Sequence, residues 1–324
     1  MLPIYLLGLL GALAVYGVYE LGVSDGEDNV SGSSSETEDD MDMTEDTDGE
    51  GSSPMDFIGN DTVEGDETDE TIDTAEGDDD VLAAGGDDTV MAGEGDDIVA
   101  GGEGDDSLSG EEGIDLMLGN EGDDSMDGGA DTDWVEANEG DDSVSGGDGN
   151  DIVIGSEGAD TLDGGDGDDR LYSGDYLPRS LTLDELTATR ASLQAGDPLT
   201  LPAGLSPEIT GDEQADEVNG GAGDDVLFLA GLDQATGGEG ADEFVLLGNG
   251  TEVVMINDYD DGEDALVYVY DAGEDEPVLD LTDNGDGTQT LTANGEPAAV
   301  VAAASVSLDN VMLVQRGTEN AYQV

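Results

Sequence analysis

The sequence predicts an all-β chain wound as a parallel β-solenoid of nonapeptide repeats, with a small helical insertion and a β-rich C-terminal cap. Three observations predict it. Large apolar residues recur every nine positions without a slip at Val63, Ile72, Val81, Val90, Val99, Leu108, Met117, Met126, Val135, Val144, Val153, Leu162 and Leu171. Two residues before this mark stands Asp in twelve of the thirteen units, Glu70 being the exception; four before it stands Gly in eleven, with Thr68 and Asp131 departing. Gly fills 52 of 324 positions while aromatics reach only 4%. Such a composition is too thin for a conventional large core and suits a fold in which each unit rests on its neighbours.

Charge narrows the chemistry. There are 85 Asp and Glu against 4 basic residues, a formal net charge of -81, and the basic residues are Arg170, Arg179, Arg190 and Arg316. A polyanion of this strength repels nucleic acid and anionic lipid, and it repels itself, so compaction requires cations from outside. Cys and His are both absent. That removes disulfides, thiolate nucleophiles, the commonest general base and the usual transition-metal ligands. Carboxylate and carbonyl oxygen remain in quantity, the ligand set of a hard cation such as Ca²⁺.

Along the chain, residues 1–23 form a hydrophobic membrane-anchor or signal segment. Met1–Tyr19 carries no charge and as a helix spans about 28 Å, close to the roughly 30 Å of a bilayer's hydrocarbon. No Lys or Arg precedes it, and a cleavage site at Ala12-Leu13-Ala14 would leave a short apolar stretch, which favours membrane anchoring over a cleaved signal. Only acidic residues follow (Glu20, Asp25, Glu27, Asp28), without the positive charge that marks a cytoplasmic side, so the remainder is expected to be extracellular or at the cell surface. Residues 24–56 are Ser, Thr, Gly, Asp and Glu in low complexity and read as an acidic disordered linker.

The first repeat block occupies 57–174. An insertion over 175–210 carries a capping box, Thr182-Leu183-Asp184-Glu185, and a short helix to about Gln194. Repeats resume in 211–248 with Gly220–Leu227 and Gly237–Phe244, separated by a degraded eight-residue unit around Gly231–Ala235. After Val245 periodicity stops and 249–324 reads as the cap, with strands at Val253–Ile256, Ala265–Tyr270, Val278–Thr282 and Thr288–Thr292. The last two flank Asp283–Gly287, a hairpin signal. Neither Asp283–Gly287 nor Asp258–Gly262 has EF-hand ligand spacing, and both read as plain turns.

The unit Gly101-Gly102-Glu103-Gly104-Asp105-Asp106-Ser107-Leu108-Ser109 resembles the RTX calcium-binding nonapeptide G-G-x-G-x-D-x-U-x. The resemblance implies a β-roll in which two nonapeptides make one turn and each Ca²⁺ lies between successive turns, about eleven sites of six or more oxygens. It implies carboxylate ligands at Asp61, Asp79, Asp88, Asp97, Asp106, Asp115, Asp124, Asp133, Asp142, Asp151, Asp160, Asp169, Asp225 and Asp242. The Asp of one repeat would act with that of the repeat two further on. Carbonyls would be aimed by turns at Gly95, Gly104, Gly113, Gly122, Gly140, Gly149, Gly158, Gly167, Gly223 and Gly240, where φ > 0 is expected. Ile256–Leu266 also looks like the segment that follows such repeats in substrates of type I secretion, although exported members usually lack a hydrophobic N-terminal segment.

Alternation sorts the residues flanking each mark onto two faces. Odd repeats present Leu82, Ile98, Ala100, Leu116, Leu118, Trp134, Ile152, Ile154 and Tyr172, an apolar strip. Even repeats present Thr71, Thr89, Ser107, Ser125, Ser143 and Thr161. A strip of that size needs a cover, expected from Leu181, Leu183, Leu186 and Leu193 of the insertion; the alternative is self-association around Trp134. The function that follows is calcium ion binding by a non-enzymatic secreted or surface protein that folds on extracellular calcium. The alternatives are a carboxylate-based polysaccharide-active enzyme and a mineral-binding adhesin using the acidic row Glu94, Glu103, Glu112, Glu121, Glu139 and Glu157.

Overall fold

The computed structural model describes residues 59–194, 209–211, 214–248, 253–271, 275–303 and 306–316, all within one compact unit, Asp39–Val324. The expected anchor in Met1–Tyr19 and the linker over 24–56 lie outside the described residues. No helix among the described residues is long and apolar enough to cross a membrane.

The chain coils between two parallel sheets. The odd sheet opens with β1 (Thr62–Glu64), β3 (Asp80–Gly85), β5 (Ile98–Glu103), β7 (Leu116–Glu121), β9 (Trp134–Glu139), β11 (Ile152–Glu157) and β13 (Arg170–Tyr172). The even sheet opens with β2 (Thr71–Asp73), β4 (Thr89–Glu94), β6 (Ser107–Glu112), β8 (Ser125–Ala130), β10 (Ser143–Asp148) and β12 (Thr161–Asp166). Each strand pairs with the one 18 residues on, as Ser107 with Ser125 and Ile98 with Leu116, so two nonapeptides complete a turn. Most strands are six residues long and run three residues past the expected x-U-x segment into the next unit, as β6 does through Gly110 to Glu112.

The thirteen register marks all point inward and are nearly inaccessible, from Val63 at 2% exposed to Leu171 at 0%. They belong to one buried cluster between the sheets, odd marks stacked on the odd sheet and even marks on the even sheet. A side chain that touches its equivalents above and below gains burial only when neighbouring turns are in place, which is why the repeat must be continuous to be stable.

The insertion leaves at the end of β13 and returns at β14 (Glu217–Ala222). Register survives it: Thr161 pairs with Glu217, and β15 (Val226–Leu229) adds to β13 with Leu171 opposite Leu227. Within the insertion, α1 (Leu183–Gln194) begins at the expected capping box, the Thr182 amide and hydroxyl donating to Glu185 Oε2 at 3.0 and 2.9 Å. The insertion covers the apolar strip. Tyr176, Leu177, Leu181 and Leu186 pack with Ile98, Leu116, Leu118, Trp134, Ile154 and Tyr172 in a second buried cluster. Trp134 is 1% exposed, with the Tyr176 ring 5.7 Å away. The expected cover is corrected at Leu183, the first residue of α1, which is exposed while Leu186 one turn on is buried. The Leu193 side chain is outside the described residues. On the even face Thr71, Thr89, Ser107, Ser125, Ser143 and Thr161 are exposed, as alternation predicts.

The coil does not end where periodicity ends, contrary to expectation. After β16 (Gln234–Glu239) and β17 (Glu243–Leu247), β18 (Val254–Ile256) and β19 (Ala265–Tyr270) pair with them in parallel. β22 (Glu296–Ala302) and β23 (Val311–Gln315) then add one more strand to each sheet. Parallel pairing needs only extended apolar segments in the right order, so the coil outlives its sequence repeat. The antiparallel element is the expected hairpin of β20 (Leu279–Asp283) and β21 (Thr288–Ala293), which folds onto β22 and closes the even sheet.

Candidate metal sites

The turns between sheets stack into two edges. Asp61, Asp79, Asp97, Asp115, Asp133, Asp151, Asp169, Asp225 and Asp242 precede odd-sheet strands and line the first edge. Asp88, Asp106, Asp124, Asp142 and Asp160 precede even-sheet strands and line the second. Along each edge the amide of one Asp donates to Oδ1 of the Asp one turn on. Examples are Asp97 to Asp115 at 2.8 Å, Asp115 to Asp133 at 2.8 Å, Asp106 to Asp124 at 2.8 Å and Asp124 to Asp142 at 2.7 Å. The ladder crosses the insertion intact, with Asp169 donating to Asp225 at 2.8 Å.

That bond uses one oxygen of each carboxylate. The second, Oδ2, is buried and has no protein hydrogen-bond partner at Asp79, Asp88, Asp97, Asp106, Asp115, Asp124, Asp133, Asp142, Asp151, Asp169 and Asp225. A buried charged oxygen without a partner is costly, and a column of them cannot persist without positive charge. Burial, with neighbouring carboxylates adding to it, pushes the carboxyls of Asp97 and Asp124 up to about 7, Asp115 to about 8 and Asp133 to about 9. The amide hydrogen bonds act in the opposite direction and are outweighed.

The remaining donors must be main-chain. No group of three or more acidic side chains converges to hold an ion among the described residues. Each turn contributes one such carboxylate, and glycine lets the backbone close around it. At Gly110 an added Cβ would strike Oδ2 of Asp115. At Gly113, with φ +134°, it would strike the Gly95 carbonyl oxygen one turn back. Of the glycines expected at φ > 0, Gly95, Gly104, Gly113, Gly122, Gly140, Gly158, Gly167, Gly223 and Gly240 have it, between +130° and +151°. Gly149 does not, and is a correction. It follows the Asp131 turn, where an L side chain at φ +80° replaces glycine, and it sits tight against the Asp131 carbonyl. Oxygen-only donors, one charged oxygen per turn and carbonyls brought close by glycine fit a hard cation of calcium's size.

Several members of the stack carry a weaker signal in the sequence. Asp216 accepts the Asp160 amide at 2.9 Å and continues the second edge. Asp233 then accepts the Asp216 amide at 3.4 Å, but its Oδ2 takes the Ala230 amide at 2.7 Å, so main-chain N–H supplies positive charge there. Asp264 does the same on the first edge, accepting Asp242 at 3.1 Å and Asp260 at 2.7 Å. All three keep Asp two residues ahead of an apolar residue while lacking the glycine pair, which is the signal that could have found them. Asp258 is also more than a plain turn residue: its two oxygens accept Gly237 and Gly238 at 2.9 and 3.0 Å. An outer ladder of opposite sense joins the preceding Asp of each pair, with Asp105 donating to Asp87 at 3.2 Å and Asp123 to Asp105 at 3.0 Å.

These paired edges define a calcium-binding β-roll. The family model for the RTX calcium-binding nonapeptide repeat matches residues 58–81, 82–117, 109–144, 118–153, 145–175 and 208–231. The chain is an RTX-type repeat protein, and such repeats bind Ca²⁺ at multiple sites. Among solved structures, the extracellular lipase LipA from Serratia marcescens is similar at 16% identity and a TM-score of 0.20. The likeness covers 63% of this chain and 40% of the lipase, so this chain spans less than half of that protein's length. Comparison with curated proteins gives no match.

Proposed function

We propose that this protein is a non-enzymatic calcium-binding protein of the cell exterior, secreted or surface-held, whose roll folds on meeting extracellular calcium. The observation that carries the reading is the pair of columns of buried, unpartnered Asp Oδ2 atoms. The ions would be held by the first-edge and second-edge carboxylates named above together with loop carbonyls, each ion sandwiched between two turns. Metal binding of this kind is folding free energy, because the sites exist only when the turns are stacked. RTX repeats are typically structural and extracellular, which favours a role outside the cell over catalysis. In this reading Met1–Tyr19 tethers the roll to a membrane.

Calcium titration of the chelated protein followed by circular dichroism tests this. A cooperative gain of β signal in the millimolar range is expected, with Mg²⁺ a poor substitute because of its smaller, stricter octahedron. A full β spectrum in chelator at low salt would overturn calcium-dependent folding. Recovery by monovalent salt alone would assign the acidity to screening instead. Hydrolysis of polysaccharide by the purified protein would favour the enzymatic alternative.

A further inference from the structure

Three of the four arginines have unremarkable surroundings: Arg170 is exposed on β13, Arg179 pairs with Glu185 at 2.8 Å, and Arg316 pairs with Asp271 at 3.5 Å. Arg190 is different. From α1 its Nη1 donates to the carbonyl oxygens of Asp79 at 3.1 Å and Asp96 at 2.8 Å, partners 111 and 94 residues away. Its Nη2 pairs with Asp80 Oδ1 at 2.9 Å, and the side chain is 12% exposed. Asp79 and Asp96 belong to successive turns of the first edge, ahead of β3 and β5. One planar fork therefore straddles the same two loops that an ion between Asp79 and Asp97 must hold together.

The guanidinium does not take the ion's place. The Oδ2 atoms of Asp79 and Asp97 remain without hydrogen-bond partners although Arg190 is docked. Asp80 pairs with it at contact distance and offsets part of its charge, although the guanidinium still favours the ionised carboxyls of Asp97 and Asp115. Its distinctive contribution is geometry: the clamp fixes the spacing of two loops whose ordering entropy would otherwise be lost again at each binding event.

We propose that Arg190 is a positioning residue for the calcium site between the Asp79 and Asp97 turns, clamping both loops so that this site releases its ion more slowly than equivalent turns. The inference rests on the calcium reading above. The test is stopped-flow release of calcium from the loaded full-length protein into a chelating dye, with R190K and R190M beside the unsubstituted chain. In both variants a slow phase of about one ion should accelerate about tenfold, the equivalent of one lost charge-assisted hydrogen bond, while the other phases stay unchanged. Lysine keeps the charge but cannot fork two carbonyls and a carboxylate, so R190K should not rescue. The inference is overturned by unchanged release in both variants, by full rescue in R190K, by slower release in R190M, or by equal acceleration of every phase. If R190M fails to fold in calcium, the R190K trace decides. Failure of the unsubstituted protein to take up calcium at all would sink the calcium reading itself.

Discussion

Replacing Asp124 with Asn separates an ion ligand from a turn-forming hydrogen bond. Oδ1 of Asp124 accepts the Asp106 amide, and Asn can accept the same bond; Oδ2 is the buried atom that has no hydrogen-bond partner. Burial pushes this carboxyl up to about 7 from 3.8, with Asp142 and Asp106 adding repulsion. At 1.36 kcal/mol per pH unit the ionised group costs the calcium-free roll roughly 4 kcal/mol above pH 7, or about 2 kcal/mol after allowance for solvent around the loop. Asn removes that cost and turns an amide toward carbonyls that otherwise need a cation. In calcium the balance reverses. Asp124 stands between the Asp106 and Asp142 turns, and a tenfold loss of affinity at each of two sites costs about 3 kcal/mol. Urea unfolding followed by circular dichroism at pH 8 should find Asp124→Asn more stable than the parent in chelator and less stable in calcium. Equal destabilisation in both would show that Asp124 serves only as a turn residue and refute the argument.

Acid should replace calcium in part. The raised carboxyls of Asp97, Asp115, Asp124 and Asp133 hold their protons in the folded roll, so their contribution is complete below 3.8 and is lost as pH rises through 7 to 9. The chelated protein should therefore gain β signal between pH 9 and pH 5, and a flat titration would contradict the burial argument. Glu136 is the charged residue in the covered apolar cluster, between Leu118 and Ile154, 5% exposed, and burial pushes it up from 4.5 to about 7. Docking of the insertion should be strongest below 4.5 and weaken by up to about 3 kcal/mol as pH passes 7. In the calcium-loaded protein, acrylamide quenching of Trp134 should rise toward pH 9, and Glu136→Gln should abolish the rise; identical profiles would assign the effect elsewhere.

Much of this was legible because a solenoid states its rules locally. The nine-residue mark, the Asp two before it and the glycine four before it are short-range, and they were enough to sort Trp134 from Ser143 by face and to anticipate the two-unit turn through family resemblance. Where the rule thins, reading failed. Asp216, Asp233 and Asp264 keep the Asp two before an apolar residue but lack the glycine pair, and that single mark is too common to place them in the stack without the ladder contacts. β22 and β23 extend the coil on extended apolar character alone, which sequence cannot distinguish from an ordinary cap. Arg190 and Glu136 depend on where the insertion docks, and contacts across 94 or 111 residues leave no local mark.

The 18-residue step also makes the molecule a ruler. Among the described residues eleven strands stack in the odd sheet, and at about 4.8 Å between neighbours they extend about 50 Å along the axis. Gain or loss of repeats would alter reach without altering girth. The quantum of such change is two nonapeptides, because the faces differ. A single added unit would exchange them for every later turn, carrying Ser and Thr beneath the insertion and the apolar strip into water. Lengths in such a lineage should accordingly differ in double steps, while the side loop between β13 and β14 can vary in length without disturbing the register, provided that it still covers the strip.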